Sequence, residues 1–165
     1  MRAAARAVVL SAVMALAGCD ARERLGAAEG VQAFMEAAQS GDRAAFEARI
    51  DRPRLRESLK ARLEAQSTLP PEIARRLDTP EGLPMLDSMV TPEAFNVGFQ
   101  RGGLLRGGKP TPAEIAAGLR MNGPDQACIP SGPKADDCVM TFEQVGDTWK
   151  LVAIAPTTLQ VAPAP

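Results

Sequence analysis

After Asn122-Gly123-Pro124 the apolar pattern of this chain changes period, and that switch constrains the fold more than any other feature. Upstream, apolar residues recur at helical spacing: Val31, Phe34, Met35 and Ala38 follow i, i+3, i+4, i+7, and Leu55, Leu59 and Leu63 repeat every four residues. Downstream, Cys138, Met140 and Phe142 alternate with Val139, Thr141 and Glu143. Gly146-Asp147 supplies a turn, and Thr148–Ile154 returns as a strand carrying Trp149, Leu151 and Ile154. Gln126–Ile129 reads as a third short strand. Helices first and strands last predict an α+β domain, with N-terminal helices packed on a small C-terminal antiparallel β-meander. Three short strands are marginal alone, so one face of the sheet has to lie on the helices.

The helices are punctuated by their caps. Ser40-Gly41-Asp42 ends the first, and Asp42 caps a second carrying Ala45, Phe46 and Ile50. Asp51 caps a third, with Pro53 tolerated in its first turn. Pro70-Pro71 opens a further helical stretch with Ile73, Ala74 and Leu77 inward. Thr79-Pro80-Glu81, Thr91-Pro92-Glu93 and Thr111-Pro112-Ala113-Glu114 each read as a Thr cap followed by Pro in the first helical position, and the last adds a capping box. Met85, Leu86, Met89, Val90, Phe95, Val97 and Phe99 are expected in the core. Gly102-Gly103 and Gly107-Gly108 mark a loop, and Ile115, Ala116 and Leu119 mark a final helix.

The N-terminus carries an address. Arg2 and Arg6 precede an apolar run from Ala7 to Ala17, 11 residues long, which is too short to cross about 30 Å of hydrocarbon and fits the h-region of a secretory signal peptide. The run ends in Leu16-Ala17-Gly18-Cys19, which resembles the lipobox of bacterial lipoproteins. That resemblance implies cleavage before Cys19, acylation of its sulfur and amine with palmitate-type chains, and stable anchoring by more than one chain. Asp20 resembles the signal for retention in the inner membrane. The expected organisation is a signal peptide over 1–18, a tether over 19–27, a single domain over 28–156 and a disordered Pro/Ala tail over 157–165. The expected location is the bacterial cell envelope, lipid-anchored and facing the periplasm, with the inner membrane favoured over the outer.

Composition limits the chemistry. The chain has no His and no Tyr, which removes the Ser-His-Asp triad, the Cys-His pair and His-ligated zinc. With Cys19 acylated, Cys128 and Cys138 remain as a pair in an oxidising compartment, separated by Pro130-Ser131-Gly132-Pro133 and flanked by strands. A structural disulfide between neighbouring antiparallel strands is the expectation; the spacing is not C-x-x-C. Gly103 to Lys109 nearly spells a P-loop, but Pro110 stands where the Mg²⁺-binding hydroxyl belongs and no strand precedes it. Asp125, Asp136 and Asp137 read as solubilising turn residues. No catalytic, cofactor-binding or metal-ligating residue is nominated, and no cofactor is implied. A net charge of −1 offers no basic field for nucleic acid. Within the basic cluster of residues 49–62, Arg52, Arg56 and Lys60 lie off the leucine face. They either touch anionic headgroups beside the tether or pair with Glu47, Asp51, Glu57 and Glu64, the reading favoured here.

Ser40-Gly41-Asp42, the run Ile50-Asp51-Arg52-Pro53-Arg54-Leu55-Arg56-Glu57-Ser58-Leu59-Lys60, Val90-Thr91-Pro92-Glu93 and the closing Thr148-Trp149-Lys150-Leu151 strand occur in an order that resembles the bacterial envelope proteins of the domain of unknown function 2939 family, over about residues 28–156. The resemblance implies an α+β fold and export or membrane attachment, and no activity. The Cys128–Cys138 hairpin is not part of the pattern. The function expected is a non-enzymatic binding or structural domain contacting membrane lipid through its anchor and an envelope protein partner. The alternative is a ligand-binding or hydrolytic domain with an apolar pocket between helices and sheet, which a filled core would disfavour.

Overall fold

A computed structural model of the protein describes residues 2–65, 71–77, 79–102, 109–134 and 137–155, with side chains from residue 20 onward other than those of 71, 73, 74 and 100–102. The side chains of Ile73 and Ala74, together with Asp136, the glycine loop at 103–108 and the tail over 157–165, lie outside the described residues. The helices are α1 (Arg2–Ser40), α2 (Arg43–Ala48), α3 (Arg52–Glu64), α4 (Pro71–Leu77), α5 (Gly82–Met89), α6 (Pro92–Gly102) and α7 (Pro112–Gly118). Four strands follow: β1 (Arg120–Met121), β2 (Gln126–Pro130), β3 (Cys138–Val145) and β4 (Thr148–Ile154). They form one antiparallel sheet in the order β1-β2-β3-β4. The α+β arrangement is the expected one. The sheet has one strand more than expected, because two-residue β1 is too short to show a period of two.

Local chemistry sets the helix ends. Asp42 accepts from the Ala45 amide at 3.0 Å to start α2, and Asp51 accepts from the Arg54 amide at 3.3 Å to start α3. At α7 the capping box is complete: the Glu114 amide donates to Thr111 Oγ1 at 3.3 Å, and the Thr111 amide donates to Glu114 Oε2 at 2.7 Å. Thr91 caps α6 through the Ala94 amide at 3.2 Å. Thr79 departs from the expected pattern. Its hydroxyl donates back to the Arg76 carbonyl at 2.8 Å, and α5 begins later, at Gly82. Gly82 is buried against that turn, where a Cβ would lie 2.3 Å from the Arg76 carbonyl oxygen. That approach needs glycine as the first residue of the helix.

The helices join the sheet at two places. Between α2 and α3, Ile50 bridges Leu151 in parallel: the Leu151 amide donates to the Arg49 carbonyl at 2.8 Å and the Asp51 amide to the Leu151 carbonyl at 3.0 Å. This link covers part of the outer edge of β4, and it draws Ile50 out of α2, which ends at Ala48. The second junction is α1 against the sheet. Gly30 meets Trp149 so closely that an added Cβ would stand 2.4 Å from the Trp149 Cβ. Residues 20–27, expected as a tether, are helical and continuous with this packed part of α1, and Ala27 is already fully buried.

All five phenylalanines of the chain meet in the core. Phe34 of α1 is the hub, with ring centroids 5.2 Å from Phe46, 5.0 Å from Phe95, 6.2 Å from Phe99 and 5.5 Å from Phe142. Leu55, Leu59 and Leu63 present the buried stripe of α3 as expected. Val97 does not join: it is 41% exposed, because on a helix it cannot share a face with both Phe95 and Phe99, two residues away on either side. Ala45 is likewise exposed, while its neighbour Phe46 turns inward.

Candidate functional site

The sequence-nominated residues fall in three places. The backbone of Cys19 lies within α1, its side chain lies outside the described residues, and Asp20 follows it, exposed. Cys128 and Cys138 are joined by a disulfide with Cα atoms 5.6 Å apart. It links β2 to β3, where Cys128 faces Thr141 and Cys138 faces Pro130 in the register, and both cysteines are buried. The loop it closes is also held from outside, since Arg120 donates to the Gly132 carbonyl at 2.8 Å and to the Lys134 carbonyl.

Arg52, Arg56 and Lys60 form a third group on α3. Arg56 reaches Asp87 of α5 in a bidentate fork, Nε to Oδ1 at 2.7 Å and Nη2 to Oδ2 at 2.6 Å. Arg52 donates to both carboxylate oxygens of Glu47, Nε to Oε2 at 2.7 Å, and to the Val90 carbonyl at 2.9 Å, so one guanidinium ties α2 to the end of α5. Its Nη1 is buried without a hydrogen bond, 3.8 Å from Asp87 Oδ1. Lys60 pairs with Glu64 one turn on, at 3.8 Å. The pairing with Glu47 and Glu64 follows the local spacing. Asp87 was not among the expected partners, because it lies 31 positions from Arg56.

Asp87 and Glu47 titrate below their ordinary values. For Asp87 the hydrogen bonds from Arg56 are the main cause, and for Glu47 those from Arg52, with burial opposing in each. A depressed carboxylate contributes stability that is fully present above its unfolded value, about 4, and is lost as pH falls through the folded value. Acidification below about pH 4 is therefore expected to loosen the α2–α3–α5 junction. Asp87→Asn is expected to remove part of that acid response and to cost about 1–2 kcal/mol at neutral pH, a figure reduced for the partial exposure of the pair. Denaturant unfolding of both proteins at neutral and acid pH checks this. An Asp87→Asn variant as stable as wild type at neutral pH would refute it.

Cavities lie between the elements. A polar groove of about 470 Å³ lies between α3 and the sheet, and several of its polar groups bond across it. Arg54 pairs with Glu143 at 2.5 Å, Gln126 donates to Glu143 at 3.0 Å, and Arg62 donates to the Cys138 carbonyl at 3.3 Å. A second groove, about 500 Å³, runs between α3 and the α4–α5 region over Leu77, Leu83 and Leu86. The third, between α1, α7 and β2, is apolar and about 290 Å³, lined by Val31, Met35, Ile115, Leu119 and Ile129. It falls at the low end of the size range for small-molecule sites. Its carboxylate, Glu114, is spent on the α7 cap. The phenylalanine cluster fills the centre of the space between helices and sheet, and this third cavity at its margin is the apolar pocket between helices and sheet that the alternative expectation names. Among the described residues no three His, Cys, Asp or Glu side chains converge to hold a metal ion.

Residues 25–97 match the family described as protein of unknown function (DUF2939). The family resemblance read from the sequence is borne out over this stretch, which runs from α1 into α6. The match is shorter than the expected 28–156, and the Thr148-Trp149-Lys150-Leu151 strand lies beyond it. No curated protein and no solved structure matches the chain.

Proposed function

We propose that this DUF2939 chain is a bacterial envelope lipoprotein, a non-enzymatic binding or structural domain held to a membrane by acylated Cys19 and facing the periplasm. The observation that carries the reading is Leu16-Ala17-Gly18-Cys19 at the end of a short apolar run behind Arg2 and Arg6. Two structural features support it. The interior is packed with aromatic side chains, and the charged groups on α3 are engaged by Glu47, Asp87 and Glu64. Such a domain offers its surface, and its partners are membrane lipid through the anchor and another envelope protein. Asp20 directs it to the inner membrane in this reading. Among the described residues no helix is long and apolar enough to cross a membrane, so the acyl chains supply the attachment.

Radiolabelled or alkyne-tagged fatty acid is expected to enter the wild-type protein and not Cys19→Ala, and the variant is expected to leave the membrane fraction. Equal labelling of both proteins would overturn the lipoprotein reading. Density fractionation tests Asp20 separately: recovery of wild type in the outer membrane would remove its sorting role.

A further inference from the structure

We infer that the domain meets the lipid bilayer with one particular end, formed by the first described turns of α1 and the tip of the β3–β4 hairpin, and that the disulfide loop points away from the membrane. This rests on the acylation of Cys19 proposed above. The direction of α1 across the sheet carries the argument. At Gly26 the helix lies beside the Trp149 indole, with an added Cβ 3.8 Å from Nε1, and at Gly30 it lies on the Trp149 Cβ. One turn later Phe34 meets Phe142, and Val31 and Met35 share a cavity with Ile129 and Pro130 at the far end of β2. The helix thus runs from the hairpin-tip end of the sheet toward the disulfide end. Its N-terminal direction, where Cys19 lies, is the hairpin-tip direction.

The connection between anchor and domain is short and ordered. Residues 19–30 belong to one helix, and Gly26 follows Cys19 by only seven residues, about 10 Å along the axis. A flexible linker would let the domain tumble above the bilayer; a helical one fixes which end is lowered. That end carries two of the exposed large apolar side chains, Leu25 at 42% and Val145 at 40%. Val145 stands opposite Thr148, beside the Gly146-Asp147 turn, and Trp149 follows at once. Exposed Arg22 and Arg24 precede Leu25, interleaved with Asp20 and Glu23, and can reach a phosphate-bearing surface, while Asp147 at the turn limits contact to headgroup depth. The opposite end, Ser131–Lys134 and Asp137, is about 25 Å further out along β3.

Trp149 is the chain's only tryptophan and reports directly on this end. The acylated full chain is reconstituted in phosphatidylcholine–phosphatidylglycerol vesicles, with or without a nitroxide on the lipid headgroup. Trp149 emission is expected to fall at least about twofold with the nitroxide, because the indole lies within about 10 Å of the anchored end. A Gly/Ser insert of about twelve residues between Asp20 and Ala21 leaves the packed part of α1 intact and releases the domain, and is expected to abolish most of that quenching. Leu25→Glu with Val145→Glu, both at exposed positions, is expected to reduce it. Co-flotation with the vesicles and the mass of the acylated chain report the anchor independently. A chain that floats yet shows equal quenching with and without the insert overturns the orientation and leaves the lipoprotein reading standing. A chain that carries no acyl group and does not float overturns both.

Discussion

Replacing Phe34 with alanine is expected to lower the unfolding free energy by about 3–5 kcal/mol. The side chain is fully buried, and its ring touches four others donated by α2, α6 and β3. Removing it forfeits the transfer free energy of the ring and opens a void that four neighbours, held on three different elements, cannot all collapse into. Edge-to-face contacts with Phe95, Phe99 and Phe142 add about 0.5–1.5 kcal/mol per pair beyond burial. Against a total of about 5–15 kcal/mol for a domain, this leaves the variant close to unfolding. Denaturant titration is the measurement, with Val97→Ala as the companion, since that side chain is 41% exposed and is expected to change stability by less than about 0.5 kcal/mol. A Phe34→Ala loss under about 1 kcal/mol would mean that the helices close over the void and that the cluster is not the organising centre.

The same residues show where a sequence reading reaches and where it stops. Phe34 and the Leu55, Leu59, Leu63 stripe were legible because burial on a helix repeats at three to four residues and leaves a pattern in the chain. Val97 was expected in the core beside Phe95 and Phe99, but positions two apart on a helix face opposite ways, and it is exposed. The cap at Thr79 failed for a different reason: the turn over residues 76–82, in which Thr79 bonds back to the Arg76 carbonyl and Gly82 packs against it, displaces the Thr-Pro start. Strand β1 has only Arg120 and Met121, too few residues for any alternation to appear. The ionic cluster was half legible. Glu47 and Glu64 lie within a turn or so of their partners, whereas Asp87 and Glu143 are 31 and 89 positions from the arginines they bind. Nothing local to Arg56 or Arg54 points across that distance. The disulfide was legible because two cysteines flank a Pro-Gly loop between strands in a chain that has no His to complete a metal site.

Substituting both Cys128 and Cys138 with serine is expected to lower the unfolding free energy by about 2–3 kcal/mol and the melting temperature by roughly 6–15 °C. The ring is small, since the cysteines are 10 positions apart, and closing it removes loop entropy from the unfolded chain. Other contacts hold the hairpin in place without it. Arg120 reaches the Gly132 and Lys134 carbonyls, the Ser131 amide donates to the Asp137 carbonyl at 2.7 Å, and β3 pairs along its length with β4. The folded form of the variant should therefore keep its fold, and the loss should act through the unfolded state. Both cysteines are buried, so any cellular phenotype should track the amount of protein. Alkylation of the folded protein is expected to find Cys128 and Cys138 blocked until a reductant is added, and thermal unfolding with reductant should match that of the double-serine variant. Two freely alkylated thiols, or a melting temperature that reduction leaves unchanged, would make the pair a regulatory or intermolecular site and not a brace for the β2–β3 hairpin.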